Sequence, residues 1–349
     1  MPDLFLLFDT LSLTQNLFCF LIASGIVLLI GLKLSGTADI LADRTGMGEA
    51  LAGAILLGAA TSASGIFTSI SAASTGDIDL AYSNSLGGIA AQTAFLAIGD
   101  MCYRKVNLEH AAAEIANVTQ AALLCLLLTI PLIAYALPQV TAFGVHPASL
   151  LLVALYIFGL FMARSDRKNP MWIAKSTPQT RTDEPDPENG EGQSTVMLVA
   201  GFIVMVVFIS FAGLVIARTG VNIAAATGLK QSLIGAMLTA VATSLPELVT
   251  TIGAIRRGAL QLAVGGIIGG NTFDVLFLSA SDVAYRNGSI YGDIDASSRF
   301  WAVIGIAMTL VLLLGLIRRE KTGPANIGVE SAAVLVIYGS AALASAFVL

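Results

Sequence analysis

Charged residues are scarce in this chain of 349 residues: Asp, Glu, Lys and Arg together make up 12%, against the roughly 25% of an ordinary soluble domain. There are two histidines, His110 and His146. Both fall near the ends of predicted helices with no metal-ligand neighbour, and they read as interfacial polar residues. The three cysteines, Cys19, Cys102 and Cys125, have neither paired nor metal-ligand spacing. That excludes a disulfide framework and a soft-metal centre, and leaves them as small packing residues. The net charge of −5 comes from acidic residues spread through predicted loops, and nothing in it supports a nucleic-acid partner. No nucleophile and base pair, no metal cluster and no phosphate loop followed by Lys-Thr/Ser appears in the apolar stretches, so an enzyme has no warrant. Met1-Pro2-Asp3 is not a basic n-region, and no cleaved signal peptide is expected.

Apolar residues make up 56% of the chain and the mean hydropathy is +0.83. Runs of about 20 mostly apolar residues, the length that crosses a bilayer's hydrocarbon core, recur near 15–35, 50–74, 79–100, 113–137 and 147–163. Five more follow near 196–217, 232–255, 259–284, 300–317 and 327–348. The expected fold is an all-α integral membrane protein of about ten transmembrane helices in a lipid bilayer. Lys and Arg in short loops are retained on the cytoplasmic side. With the N-terminus outside, fourteen of the eighteen basic residues become cytoplasmic, and only Arg218, Lys230, Arg286 and Arg299 lie outside. The orientation read from this is a multi-pass protein of the cell's inner (plasma) membrane with both termini outside. Residues 164–194 are polar and rich in Pro, Glu, Asp, Gly and Thr, and read as a flexible cytoplasmic linker. It separates 1–163, holding helices one to five, from 195–349, holding helices six to ten.

The two parts are copies. Shifting the first by 182 residues lays Ala60-Thr61-Ser62 on Ala242-Thr243-Ser244 without a gap, Gly53 on Gly235, Thr68 on Thr250 and Gly87-Gly88 on Gly269-Gly270. Asp100, Tyr103 and Arg104 land on Asp282, Tyr285 and Arg286. Five helices, an odd number, separate equivalent positions, so the second copy crosses the membrane in the opposite direction. Such inverted repeats occur in secondary transporters, whose sites sit at midplane between the halves on interrupted helices.

Two carboxylates stand within the apolar runs: Glu247, in the segment Ala-Thr-Ser-Leu-Pro-Glu-Leu at 242–248, and Asp274, closing Gly-Gly-Ile-Ile-Gly-Gly-Asn-Thr-Phe-Asp at 265–274. A charge at the bilayer centre costs roughly 2.5–3.5 kcal/mol on insertion scales, and one that persists faces a cavity and marks an ion or proton path. The 25 residues between Lys230 and Arg256 have their midpoint at Thr243, and the 28 between Arg257 and Arg286 have theirs at Asn271 and Thr272, so both motifs meet near midplane. Pro246 lacks an N–H and clashes with the carbonyl of Ala242, which predicts a kink that frees backbone oxygens near Thr243. Hard cations such as Na⁺ and Ca²⁺ take the carboxylate, hydroxyl and carbonyl oxygens such a layer offers.

At these residues the chain resembles the calcium/cation antiporter superfamily, the group that contains the sodium/calcium exchangers. Thr243-Ser244-Leu245-Pro246-Glu247 looks like its Thr-Ser-x-Pro-Glu, and 265–274 resembles its Gly-Asn-x-x-Gly-Ser-Asn-x-x-Asp/Asn stretch. The resemblance implies Glu247 and Asp274 as principal cation ligands, Thr243 and Ser244 as hydroxyl or carbonyl donors of oxygen, and Asn271 as an amide ligand. In the first repeat it implies Thr61, Ser62 and Asn84, with Gln92 opposite Asp274. It further implies a secondary-active antiporter with no permanently bound cofactor. The exchange would move an inorganic cation, with Ca²⁺ favoured, against Na⁺ or H⁺ by alternating access.

The first repeat departs from that pattern. Gly65 stands where the family has Glu, Ser64 where it has Pro, Ile89 where it has Asn, and Gly88 and Gly270 replace the Ser of Gly-Ser-Asn. The site therefore has fewer carboxylates than a usual exchanger. A monovalent cation/H⁺ antiporter of the same fold, or a degenerate non-transporting membrane protein, remain as alternatives. Water, a backbone carbonyl or Gln92 are candidates to fill the space beside Gly65. Asp100 with Arg104 and Asp282 with Arg286, four residues apart, read as interfacial salt bridges. Asp77 and Asp79 read as a solvated loop end, and the paired glycines as close helix packing.

Overall fold

The computed structural model describes residues 10–74, 76, 78–181, 192–227, 241, 243–292, 294–323 and 327–347. The first half contains α1 (Leu13–Thr45), α2 (Glu49–Thr61), α3 (Ala63–Ser74), α4 (Ile78–Cys102), the short α5 (Leu108–Ala111), α6 (Ile115–Ala136) and α7 (Pro147–Lys168). The second contains α8 (Thr195–Ala226), α9 (Leu245–Arg257), α10 (Leu260–Asp274), α11 (Leu276–Ala284), α12 (Ala296–Arg318) and α13 (Val329–Phe347). Local chemistry sets several ends. Ser12 and Gln15 form a capping box at α1, Asp295 caps α12, Pro147 opens α7, and left-handed Gly46 and Gly258 close α1 and α9.

These helices fall on the ten apolar runs, giving an all-α membrane fold of two inverted five-helix repeats. Positions 232–240 and 242 of the seventh run lie outside the described residues. Six spans are long and apolar enough to cross alone, and α2 with α3 forms a seventh, bent by 47°. At 33 and 32 residues, α1 and α8 are much longer than a crossing needs. They pack along one another and turn outward an apolar face that includes Phe18, Leu21, Phe208 and Phe211. The centre is held by α4 and by α10 running into α11. Both are buried on nearly every side, and α6, α7, α12 and α13 surround them.

Of the paired glycines, Gly265 and Gly269 pack helices closely, as expected, whereas a Cβ on Gly88 would meet nothing nearer than 3.7 Å. A Cβ on Gly53 would lie 2.5 Å from the Leu262 carbonyl oxygen, and one on Gly58 would lie 2.5 Å from the Gly270 amide nitrogen. From the other side, Gly265 meets the Ala50 carbonyl and Gly269 meets Ala54. Here α2 and α10 touch backbone to backbone, which only residues without side chains permit. Within α2, Gly53–Gly58 winds as a π-helix immediately before Thr61, a widening often found beside functional positions.

Asp100 and Asp282 are not the salt bridges their spacing suggests. Both are fully buried. Asp100 accepts the Leu108 N–H on Oδ1 (2.7 Å) and the Gly328 N–H on Oδ2 (2.8 Å). Asp282 accepts the Ile290 N–H on Oδ1 (3.3 Å) and the His146 N–H on Oδ2 (2.7 Å). Leu108 and Ile290, and His146 and Gly328, are again 182 residues apart, so one bonding pattern is built twice with the halves exchanged. Each aspartate fastens the start of the other repeat's last helix. The reason is geometric: α4 ends at Cys102, which removes Arg104 from the helical face that carries Asp100.

The histidines are also more deeply set than interfacial residues. His110 lies between the Arg319 carbonyl and Thr177 Oγ1, and His146 caps α7 by accepting the Ala148 N–H. The linker is shorter than its composition suggests. α7 continues to Lys168, and 169–181 is docked on the protein through Arg181 N–H to the Ala111 carbonyl and Arg319 to the Lys175 carbonyl. Residues 182–191 lie outside the described residues, as does Asp77.

Overpacking a tight contact costs about 1–3 kcal/mol. Gly269→Ala is therefore expected to lower the thermal midpoint in detergent and reduce the yield of monodisperse protein. Gly201→Ala, whose Cβ meets nothing within 4 Å, should leave both unchanged. Fluorescence-detected size-exclusion after heating compares the two directly.

Candidate cation site

The site lies where the helices of both repeats break. Ser62 (φ −73°, ψ −4°) separates α2 from α3, and Ser244 (φ −93°, ψ 4°) precedes α9. The two breaks have the same shape although only one has a proline nearby. Pro246 thus sits in the first turn of a new helix, where its missing N–H costs nothing, and the kink is a property of the Thr-Ser pair's position in both repeats. Each break presents the start of a helix to the interior, and Glu247 occupies the first turn of α9, where the helix dipole favours negative charge.

Every sequence-predicted site residue is buried: Thr61, Ser62, Asn84, Gln92, Thr243, Ser244, Glu247, Asn271 and Asp274. The structure brings most of them together. Gln92 Nε2 donates to Asp274 Oδ2 (2.6 Å) and to Ser244 Oγ (3.4 Å), so the two residues that occupy equivalent repeat positions meet each other directly. Thr243 donates to Asn84 Oδ1 (3.3 Å) across the repeats. Thr61 and Ser62 lie beside Glu247, Ser62 lies also beside Asp274, and the two carboxylates are within Coulombic reach of one another.

Two assignments are more structural than expected. Thr61 Oγ1 donates to the Leu57 and Gly58 carbonyls. Asn84 Nδ2 is committed to the Gly65 carbonyl and Ser69 Oγ, both at 2.9 Å. Asn271 donates to Thr93 Oγ1 (2.9 Å), which keeps its oxygen side free. Ser85, Thr93 and Ser69 are neighbours that sequence reasoning missed. Ser85 Oγ holds the Asp274 carbonyl at 2.7 Å. The available signal was the run of polar residues at helical spacing on α4, where Asn84, Gly88 and Gln92 line one face with Ser85 and Thr93 beside it.

Five buried oxygens of this group have no hydrogen-bond donor among the described residues: Glu247 Oε2, Asp274 Oδ1, Asn271 Oδ1, Gln92 Oε1 and Ser62 Oγ. Buried acceptors left without donors are costly, and a cluster of them is what a hard cation satisfies. No group of three His, Cys, Asp or Glu side chains placed to hold a metal ion is found among the described residues, so amide, hydroxyl and backbone oxygens must complete any coordination shell at this site.

The space beside Gly65 is filled by an aromatic ring. A Cβ there would lie 2.6 Å from Phe277 Cε2 and 3.0 Å from its Cζ. Phe277 is itself buried and stacked edge-on against Phe273. Directly beside Gly65 stands hydrocarbon, rather than Gln92 or a carbonyl. The donor set carries two negative charges at most, both from the second repeat.

Comparison with known proteins shows the family. The chain is 35% identical over 129 residues to a putative antiporter, CaxA, of Alkalimonas amylolytica, and 38% identical over 88 residues to the sodium/calcium exchanger MaX1 of Methanosarcina acetivorans. These stretches cover 37% and 25% of this chain, and 38% and 24% of the relatives' own lengths. In three dimensions it superposes on the sodium-calcium exchanger NCX_Mj with a TM-score of 0.69 at 17% identity, over 96% of this chain and 99% of that one. The family model for sodium/calcium exchanger proteins matches residues 16–164 and 197–347, one block in each repeat, and the chain belongs to that family.

Proposed function

We propose that the protein is a secondary-active cation antiporter that binds Ca²⁺ between Glu247 and Asp274 and exchanges it for Na⁺ or H⁺ by alternating access. Two buried carboxylates surrounded by undonated oxygens support this reading above all. Glu247 and Asp274 neutralise one divalent ion. Asn271, Gln92 and Ser62 offer buried neutral oxygens without donors among the described residues, and Thr243 and Ser244 stand at the second break. Family membership and the names of the relatives agree with cation exchange. The repeats form the two halves, the first running to Lys168 and the second from Thr195, joined by 169–194 on the cytoplasmic side, with both termini outside.

The charge balance supports a stoichiometry. A site of two carboxylates is neutral with one Ca²⁺ and equally neutral with two monovalent cations, so the exchange is electroneutral at one to two. Ionising a third carboxylate would break that balance, and Phe277 keeps one from being accommodated at position 65.

Proteoliposomes loaded with Na⁺ should take up ⁴⁵Ca²⁺ from a Na⁺-free medium. Glu247→Gln or Asp274→Asn should each cut the initial rate by at least about tenfold, equivalent to ~1.4 kcal/mol. Uptake that survives both substitutions sinks the assignment, and uptake driven only by a pH gradient selects H⁺ as the counter-ion.

An imposed K⁺/valinomycin potential should leave that uptake unchanged. Gly65→Glu alone should fold poorly, because its side chain collides with Phe277, at a cost of about 1–3 kcal/mol or more. Pairing it with Phe277→Ala should restore yield and make uptake sensitive to potential. A potential-dependent wild type would refute the two-charge balance.

A further inference from the structure

Glu109, between spans α4 and α6, is buried beside two other carboxylates, Asp100 and Glu330. Its Oε1 accepts the Ser331 hydroxyl at 2.9 Å, whereas its Oε2 is buried without a donor. That oxygen points at the start of α13. A Cβ on Gly328 would lie 3.2 Å from Glu109 Oε2 and 3.4 Å from Asp100 Oδ2, so the two acceptors face the same point. Both Asp100 oxygens already hold backbone N–H groups. Glu330 closes the cluster from α13, its methylenes and those of Glu109 both lying against Gly315 of α12.

No Lys, Arg or His pairs with these three carboxylates among the described residues. His110, next along α5, is engaged by the Arg319 carbonyl and Thr177. The Arg319 guanidinium donates to the Lys175 and His110 carbonyls and to Thr180 Oγ1. Arg318 pairs with Glu320, and Lys321 is exposed, only its carbonyl reaching Asn107.

The other end of the molecule provides the control. Under the 182-residue shift Asp100 becomes Asp282, with its two backbone N–H bonds conserved, and Ser331 becomes Ser149, whose Oγ also donates to Asp282 Oδ2 (2.7 Å), but Glu109 becomes Tyr291 and Glu330 becomes Ala148. Tyr291 makes the matching bond, its hydroxyl 2.9 Å from Ser149 Oγ. One junction is therefore built from an aspartate and a phenol, and the other from three carboxyl groups around an undonated oxygen.

We propose that Glu109, with Asp100 and Glu330, is a proton-binding site, separate from the cation site, that fastens α13 to the end of α4 when protonated. The proton supplies the missing donor at Oε2 and removes a charge from the cluster. Burial first, then the Asp100 charge, raises the Glu109 carboxyl to about 7, with Glu330 adding to the rise and the Ser331 bond opposing it. A carboxyl raised above its unfolded value stabilises the folded junction when protonated. The fastening is complete below the ordinary carboxylate range and is lost as pH rises through about 7. Because α4 carries Asn84 and Gln92, the junction ties proton concentration at one membrane face to the helix that lines the cation site.

Hydrogen exchange of the full-length protein in detergent, corrected for intrinsic rates, tests this at pH 6 and pH 8. Amides of 327–332 should lose protection at least several-fold at the higher pH, while those of 145–150 should not change. Glu109→Gln, which keeps an acceptor for Ser331 and supplies a donor, should abolish the difference, and Glu330→Ala should reduce it. Equal pH responses at the two junctions in the wild type would overturn the proposal even if neither variant folds. Protection restored at pH 8 by Ca²⁺ would also overturn it, since the ligand would then be a metal cation.

Discussion

Everything in this protein is arranged around two carboxylates that have no basic partner among the described residues. Glu247 and Asp274 lie in the interior of an apolar bundle, each all but inaccessible. A buried ion costs several kcal/mol after relaxation, and only close compensating groups offset that. The compensation here is partial by construction. Gln92 gives Asp274 one short amide bond, Ser85 holds its backbone, and the first turn of α9 favours Glu247. One oxygen of each carboxylate stays undonated. A fully satisfied pair would be a structural feature with no need of an ion. This pair is held in position without that satisfaction, which is the ground for the proposed cation between them.

That arrangement depends on backbone proximity. For the broken helices to meet α4 and α10 at the centre, α2 must approach α10 at the distance of peptide groups, which explains the glycines at 53, 58, 265 and 269. The same glycines leave space in the ladder of side chains, and the π-turn at Gly53–Gly58 shifts the register so that Thr61 and Ser62 arrive beside Glu247. Packing and site geometry are thus one requirement, met by residues that carry no functional group.

Much of this could be read from the order of residues. Six of the ten spans stand out by apolar length alone among the described residues, and the 182-residue register placed Gln92 opposite Asp274, where they form the shortest bond of the site. What escaped was set by contacts distant in sequence. Asp100 and Arg104 have helical spacing, so a local ion pair was the natural reading. Only the fold shows that α4 stops in between and that Gly328, in the other half, comes within reach. Pro246 is locally a helix breaker, yet Ser62 breaks the equivalent helix without one, so the proline fits a bend that topology imposes. Nothing around Phe277 announces that its ring points at Gly65, because that neighbour lies in the other repeat.

The repeats share a backbone and have divided the chemistry. Glu247 faces an equivalent Gly65, Asp274 an equivalent Gln92, Pro246 an equivalent Ser64, and Glu109 an equivalent Tyr291. At the three pairs that include a carboxylate the main-chain geometry or the hydrogen bond survives while the charge is found on one side alone. An inverted repeat makes the two faces of a membrane protein equivalent only as far as its side chains are equivalent. Where the repeats exchange conformations, a symmetric backbone makes the exchange cheap, since each half adopts a shape the other has already shown to be stable. In the proposed exchange, both central carboxylates on one half and the buried acidic cluster on one face would make the two conformations unequal in ion and proton affinity, so that asymmetric side chains on symmetric helices let the solution on each side decide which conformation is favoured.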